Sequence, residues 1–298
     1  MPRVTVNGVE LYYEAAGEGE ALVFVHGGFA SLASALNAPP PHDWTWEHDF
    51  ARCFRFVWYD RRGCYRSAPP ADGYDLENQA TDLEALMDRL GIAATHLVGS
   101  SAGGPIALLF AATRPSRVRT LILVGTGLAL FPQDDPAGAT VRQLFATLER
   151  DGPEAAFDQR PAGFETSLDA LWDREEMAAR GRLQDWMERQ HALAARARDL
   201  PRRERVHRFA VELRNIAAYV DADLRQYARC VAAPTLVLHG SDDRVVPPSW
   251  GRELARAIPT AQLRVFPGGH RLLFRGPMSD EARRAAIEFA RRRGRDCG

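Results

Sequence analysis

Two rhythms of apolar and polar residues run along this chain. Short, nearly continuous apolar runs end in glycine or charge, as buried strands do. Longer stretches repeat apolar residues every third or fourth position, as helices do. The opening VTVNGVELYYEAAG places β-rich arms around Asn7-Gly8, a strong hairpin signal. ALVFVHGG then reads as a buried strand running into glycines, and FRFVWYDRRG as a strand ending in charge. DLENQATDLEALMDRLGI repeats Leu83, Leu86 and Leu90 at helical spacing, with Asp75 as N-cap and Gly91 as stop. THLVGS reads as a strand, AGGPIALLFAATRP as an apolar helix halted by Pro115, and VRTLILVGT as another strand.

The pattern changes after Gly127. From Leu128 to Tyr227 the chain is rich in Ala, Arg and Glu at helical spacing and shows no convincing strand. Trp172, Met177, Trp186, Met187 and Phe209 supply its apolar faces. The strand rhythm resumes with APTLVLHG, then a helix PSWGRELARAI, a strand AQLRVFPGG and a closing helix SDEARRAAIEFARRR. The expectation is an eight-stranded, mostly parallel α/β sheet, because strands alternating with helices build βαβ units. Residues 1–127 and 228–298 form its core, and 128–227 form a helical cap inserted after the sixth strand. Sites in such sheets gather at the carboxyl ends of the strands.

Composition changes this picture little. Of 298 residues, 46% are hydrophobic, enough for a sizeable core, and the formal net charge of -1 offers nothing to nucleic acid. The 38 Lys+Arg residues are all Arg. Cys53, Cys64, Cys230 and Cys297 are scattered, with neither a disulfide framework nor a zinc spacing. The N-terminal stretch has no apolar signal core and no apolar run is long enough to span a bilayer, so a cytoplasmic protein without membrane contact is expected.

Four strand ends carry candidate chemistry: HGG (His26 to Gly28), GSSAG (Gly99 to Gly103), HGSDDRVVP (His239 to Pro247) and GGH (Gly268 to His270). A strand that turns directly into a helix forces the pivot residue to positive φ and brings its neighbours two before and two after close together. Those neighbours must be tiny. Gly99 and Gly103 bracket Ser101, whereas Ser100 would need a small residue where Val98 stands. Ser101 is therefore the exposed hydroxyl at the helix N-terminus. A serine needs a base, and His270 follows the last strand on a loop able to reach it. His96 opens its strand at the far end, His191 and His207 lie in the cap, His239 precedes the acid turn, and His26 braces its own loop. Asp242 or Asp243 is the carboxylate behind the base.

At this point the chain resembles the α/β-hydrolase family, whose triad runs in the order Ser, Asp or Glu, His. The hairpin, HGG, YDRRG, GSSAGG, the cap position, GSDDRVVP and GGH all take part, so the likeness spans nearly the whole chain. It implies Asp243 as the acid, because Gly240 and Pro247 match the family's G-x-x-D-x-x-x-P around it. It implies an oxyanion hole made by the Ala102 N–H and the Gly28 N–H, with Phe29 as the alternative to Gly28. It further implies a cofactor-independent serine hydrolase cleaving an ester or related acyl bond of a small molecule. A proline iminopeptidase-like aminopeptidase, a lactonase and a C–C bond hydrolase share the same triad; HGGFA lacks the Pro-Gly usual in the peptidases. From another class, a ligand receptor can retain all three residues.

Two features depart from the pattern or stay unassigned. YDRRGCYRS has Tyr65 where the family has glycine. The segment 38–50 brings His42, Asp43, Glu47 and His48 together with Trp44 and Trp46, but without metal-ligand spacing, so no metal is expected.

Overall fold

The computed structural model describes residues 2–29, 47–131, 136–161, 178, 181–274 and 276–294. Eight strands form one sheet: β1 (Arg3–Val6), β2 (Val9–Ala16), β3 (Ala21–Val25), β4 (Arg55–Tyr59), β5 (Thr95–Ser100), β6 (Val118–Val124), β7 (Thr235–Gly240) and β8 (Ala261–Phe266). Their spatial order is β1-β2-β4-β3-β5-β6-β7-β8. The β1–β2 and β2–β4 pairs are antiparallel, and every other pair is parallel. Asn7 and Gly8 turn the opening hairpin at φ 45° and 73°.

The near-continuous apolar strands are buried on both faces, and the pleat sorts their residues by parity. Val23, Val25, Leu97, Leu121, Leu123 and Val237 face one core, with helices α2 (Leu76–Arg89) and α3 (Gly103–Thr113) against them. Leu22, Phe24, Val98, Ile122, Val124, Leu236 and Leu238 face the other, together with Phe50 of α1 (Glu47–Ala51) and Ala282, Ala286 and Ala290 of α10 (Ser279–Gly294). Asp75 caps α2 by accepting from the Asn78 N–H at 2.8 Å, which satisfies one free donor of the first turn. α3 is apolar all round because Gly103 to Ala111 are all buried.

Between β6 and β7 lie α4 (Pro136–Asp151), α5 (Pro153–Asp158), α6 (Leu183–Arg198), α7 (Arg202–Ala217) and α8 (Arg225–Ala228). The chain leaves and re-enters the sheet side by side. Phe131 bridges Val220, and the Leu224 N–H donates to the Leu128 carbonyl at 2.9 Å. Phe209 is buried and meets Phe157 in an edge-to-face pair at 5.6 Å. Met187, by contrast, is exposed; among the described residues α6 buries Leu193, Ala194 and Ala197, all in its second half. Trp172 and Met177 lie outside the described residues. The arginines of these helices form surface ion pairs, such as Arg208–Glu204 and Arg202–Asp158 at 2.8 Å each. A further helix, α9 (Pro248–Ala257), follows β7 and buries Gly251 and Leu254. Among the described residues no helix is long and apolar enough to cross a membrane.

Candidate active site

The sheet reverses its order of addition at β3, so β5 lies centrally with β3 on one side and β6 on the other. Ser101 is the first residue past β5. Its φ is 50°, in the left-handed region that a non-glycine residue enters only at a cost of roughly 1–3 kcal/mol. The surrounding glycines make the bend possible. A Cβ on Gly99 would sit 2.7 Å from the Gly103 carbonyl oxygen, and one on Gly103 only 2.1 Å from the Val25 carbonyl oxygen. A Cβ on Gly27 would lie 2.7 Å from that of Ser101, so the loop after β3 presses directly on the serine.

Three side chains converge in a line. His270 Nε2 is 3.0 Å from Ser101 Oγ, and His270 Nδ1 is 2.9 Å from Asp243 Oδ2. A carboxylate can only accept, so the ring proton belongs on Nδ1 and Nε2 is left to accept from the serine hydroxyl. Asp243 is fully buried, and its other oxygen accepts from the Val245 N–H at 3.0 Å and the Val246 N–H at 2.9 Å. Asp242 points outward and accepts from Ser241 Oγ at 3.0 Å and the Gly268 N–H at 3.3 Å. That second bond, with the Asp242 N–H to the Gly268 carbonyl at 2.9 Å, stitches the acid turn to the histidine loop. Gly240 permits the stitch, since a Cβ there would meet the Gly268 carbonyl oxygen at 2.3 Å.

The peptides flanking the serine are held by their carbonyls. A peptide unit is planar and trans, so fixing its C=O also fixes the direction of the N–H that follows. The Ser101 carbonyl accepts from Thr126 Oγ1 at 2.9 Å and from the Gly104 N–H at 2.8 Å, which orients the Ala102 N–H at the start of α3. The Gly27 carbonyl lies 2.6 Å from His26 Nδ1, which orients the Gly28 N–H. The Arg61 N–H can only donate, and it reaches His26 Nε2 at 3.0 Å, so His26 carries its proton on Nδ1. Burial, then the neighbouring Arg61 charge, push the His26 pKa down to about 3, so the ring stays neutral. Gly28 has φ 73°, and Phe29 is buried with its ring edge-to-face on Tyr219 at 5.2 Å.

The remaining histidines stand elsewhere. His239 is fully buried beneath the acid turn, with Nε2 2.9 Å from the Val246 carbonyl and 3.5 Å from Asp243 Oδ2. Gly251 makes room for it, as a Cβ there would lie 2.3 Å from His239 Nδ1. His96 is buried against Thr120 Oγ1 at 2.9 Å, and His191 and His207 are exposed. Ion pairs hold two arginines of the YDRRGCYRS stretch. Arg62 pairs with Asp82 at 2.6 Å in a buried bridge, and Arg66 pairs with Asp60 at 2.8 Å. Tyr65 takes φ 44°, so the turn keeps a left-handed residue even without glycine, and its ring packs edge-to-face on His26 at 5.3 Å.

Sequence reasoning passed over Gly125, Thr126, Arg61 and Tyr219. Gly125 has φ 54°, and a Cβ on it would approach Asp243 Oδ2 and His270 Nδ1 to 3.4 Å each. Gly125 and Thr126 were findable in principle, because they end β6 beside β5. Arg61 stood inside YDRRG with no role assigned to it, and Tyr219 gave no local signal. Among the described residues no cluster of three or more His, Cys, Asp or Glu side chains is arranged to hold a metal ion. His42, Asp43, Trp44 and Trp46 lie outside the described residues.

A central parallel sheet, a strained serine between strand and helix, and an imidazole and carboxylate delivered from later strand ends define an α/β enzyme of the hydrolase class. A family model of the alpha/beta hydrolase fold matches residues 20–277, and the chain belongs to that family. It is similar to a non-heme haloperoxidase of Rhodococcus erythropolis, 27% identical over 90% of this chain and 92% of that protein. It is also similar to a 2-hydroxy-6-oxononadienedioate/2-hydroxy-6-oxononatrienedioate hydrolase of Paraburkholderia xenovorans, 30% identical over 87% of this chain and 83% of that protein. Among solved structures, the enol-lactonase from Burkholderia xenovorans matches with a TM-score of 0.66 and 25% identity, covering 97% of this chain and 99% of that one.

Proposed function

We propose that this hydrolase cleaves an ester or a related acyl bond of a small molecule, without a cofactor, through a covalent acyl-enzyme. The observation that carries this reading is the unbroken line from Ser101 Oγ to His270 Nε2 at 3.0 Å and from His270 Nδ1 to Asp243 Oδ2 at 2.9 Å. Ser101 Oγ attacks the acyl carbon while its proton passes to His270 Nε2. The buried Asp243 carboxylate stabilises the resulting imidazolium and holds its tautomer. The Gly28 and Ala102 N–H groups, each oriented through the carbonyl of its own peptide, stabilise the charge that develops on the acyl oxygen. His270 then returns the proton to the leaving oxygen, and the leaving group departs. Water attacks the acyl-enzyme with His270 again as base, and Ser101 regains its proton as the acid is released.

Lactones fall under the same chemistry, because a lactone is a cyclic ester, and the enol-lactonase neighbour keeps that class in view. The relative that is named a dienedioate hydrolase puts carbon–carbon cleavage beside it. The residues 128–227 would form the wall that chooses among them. The test is a screen of p-nitrophenyl esters of increasing acyl length together with lactone, amide, proline-anilide and vinylogous diketone substrates. Repeated turnover of at least one ester is expected, and Ser101→Ala should lower its kcat by about 10⁴-fold or more. Full activity in Ser101→Ala overturns the mechanism. A single stoichiometric turnover followed by arrest favours a ligand receptor over a turning-over enzyme.

A further inference from the structure

Arg61 is 1% exposed, the largest side chain buried to that degree, and no carboxylate lies within ion-pair distance of it among the described residues. A guanidinium buried without a counter-charge is costly, so the bonds it makes are informative. Nη2 donates to the Gly28 carbonyl. Nη1 donates to Gln79 Oε1 at 2.8 Å and to the Tyr219 hydroxyl oxygen at 2.9 Å. Gln79 is fixed in turn by donating through Nε2 to the Tyr74 carbonyl at 2.7 Å. Tyr219, which is fully buried, passes the link on, because its hydroxyl donates to the Ala102 carbonyl at 2.8 Å. Burial pushes the Tyr219 hydroxyl up to about 12, which keeps it a donor.

One chain of bonds therefore joins the carbonyl of Gly28 to that of Ala102. These are the residues on either side of the reacting serine that the reading above uses as anion donors. We propose that Arg61 and Tyr219 form a single positioning device that sets the spacing of the two walls of the oxyanion hole and lends it positive charge. The Gly28 peptide is thereby gripped at both ends: His26 holds the carbonyl before it and Arg61 the carbonyl after it. The second grip also orients the Phe29 N–H, so the device serves either donor on that loop. Tyr219 is two residues past the end of α7 and one before the Phe131–Val220 bridge. The inserted helices are thus tied to the donor loop at their root. Neither side chain need touch substrate; they act through the peptides they hold.

This inference rests on the serine-hydrolase reading, and the two are tested separately. The wild-type chain is first shown to turn over an ester and to lose that activity in Ser101→Ala; failure there removes the reading itself. Tyr219→Phe then deletes one hydroxyl and leaves the ring on Phe29 in place. Arg61→Lys keeps a cation that cannot bridge Gly28 and Tyr219 together. Both are assayed per active site, counted by fluorophosphonate labelling carried to completion, with circular dichroism to check folding. Each variant is expected to lose about 10- to 100-fold in kcat, with KM within about twofold. Affinity for a trifluoromethyl ketone, which adds to the serine to form an anion in the hole, should fall in parallel. A purely structural role would lower melting temperature and the number of active sites but leave kcat per site and ketone affinity within twofold of wild type. That result, in either folded variant, overturns the proposal.

Discussion

Gly27, which the sequence offers only as one of two turn glycines, lies directly against the reacting serine. A Cβ there would lie 2.7 Å from that of Ser101 and 2.9 Å from the Ser100 carbonyl, closer than side chains pack. Gly27→Ala must therefore push the serine off its line to His270. Catalysis depends steeply on such placement, so a loss of about 10²-fold or more in kcat is expected, read by steady-state ester hydrolysis. A melting temperature within several degrees of wild type would locate the effect at the site. At Tyr65 the chain accepts a strained conformation where the family motif it resembles has glycine, and the ring gains the edge of His26 in exchange. Ser101 over Ser100 was legible because two flanking glycines at fixed offsets are a local signal. The choice of Asp243 over Asp242 came from a family motif; the contact itself appears only where two loops are stitched together.

At the level of elements, strand ends deliver the chemistry and helix faces secure it. β5, β7 and β8 run parallel, so the residues after them emerge on one edge of the sheet. The register was hidden in the sequence, since strands buried on both faces carry no alternation to read. The helices between β6 and β7 hold together through α4, α5 and α7, with Phe157 against Phe209 at their centre. Phe209→Ala removes that ring from a buried position and should cost about 3 kcal/mol. Hydrogen exchange measured by mass spectrometry is expected to speed up in 136–158 and 202–217 while β5 and β6 stay protected. Uniform acceleration across the sheet would mean that these helices unfold only with the core. Met187 illustrates the limit of pattern reading here: apolar type predicts burial, and α6 leaves it exposed.

At the scale of the whole molecule, the described residues include three buried imidazoles outside the reacting line. Desolvation lowers the pKa of His26, His96 and His239, each for lack of water around the charged form. For a group lowered in the folded state, the unfolded chain takes up the proton first as pH falls, so stability rises with pH across the window. The lowered imidazoles are expected to withdraw stability as pH falls from about 7 toward about 5.5, starting near the free-histidine value. Urea unfolding at the two pH values should show the combined loss, and His96→Gln, far from the serine, should reduce it by about one imidazole's share. Asp60 and Asp82 are raised by burial and oppose this trend at the acid end of the window. An unfolding free energy that does not change with pH would contradict the assignment of three neutral rings.

The sequence by itself determined the sheet, its mostly parallel order, the place of the inserted helices and the types of side chain at each strand end. Those properties follow from periodicity, glycine placement and chain order, which are local or nearly so. Tertiary structure alone decided which carboxylate faces His270, which carbonyls are gripped, and that Arg61 meets Tyr219 across a separation of 158 residues. Buried polar groups choose their partners by direction and distance once the core has closed, and no one-dimensional pattern encodes that choice.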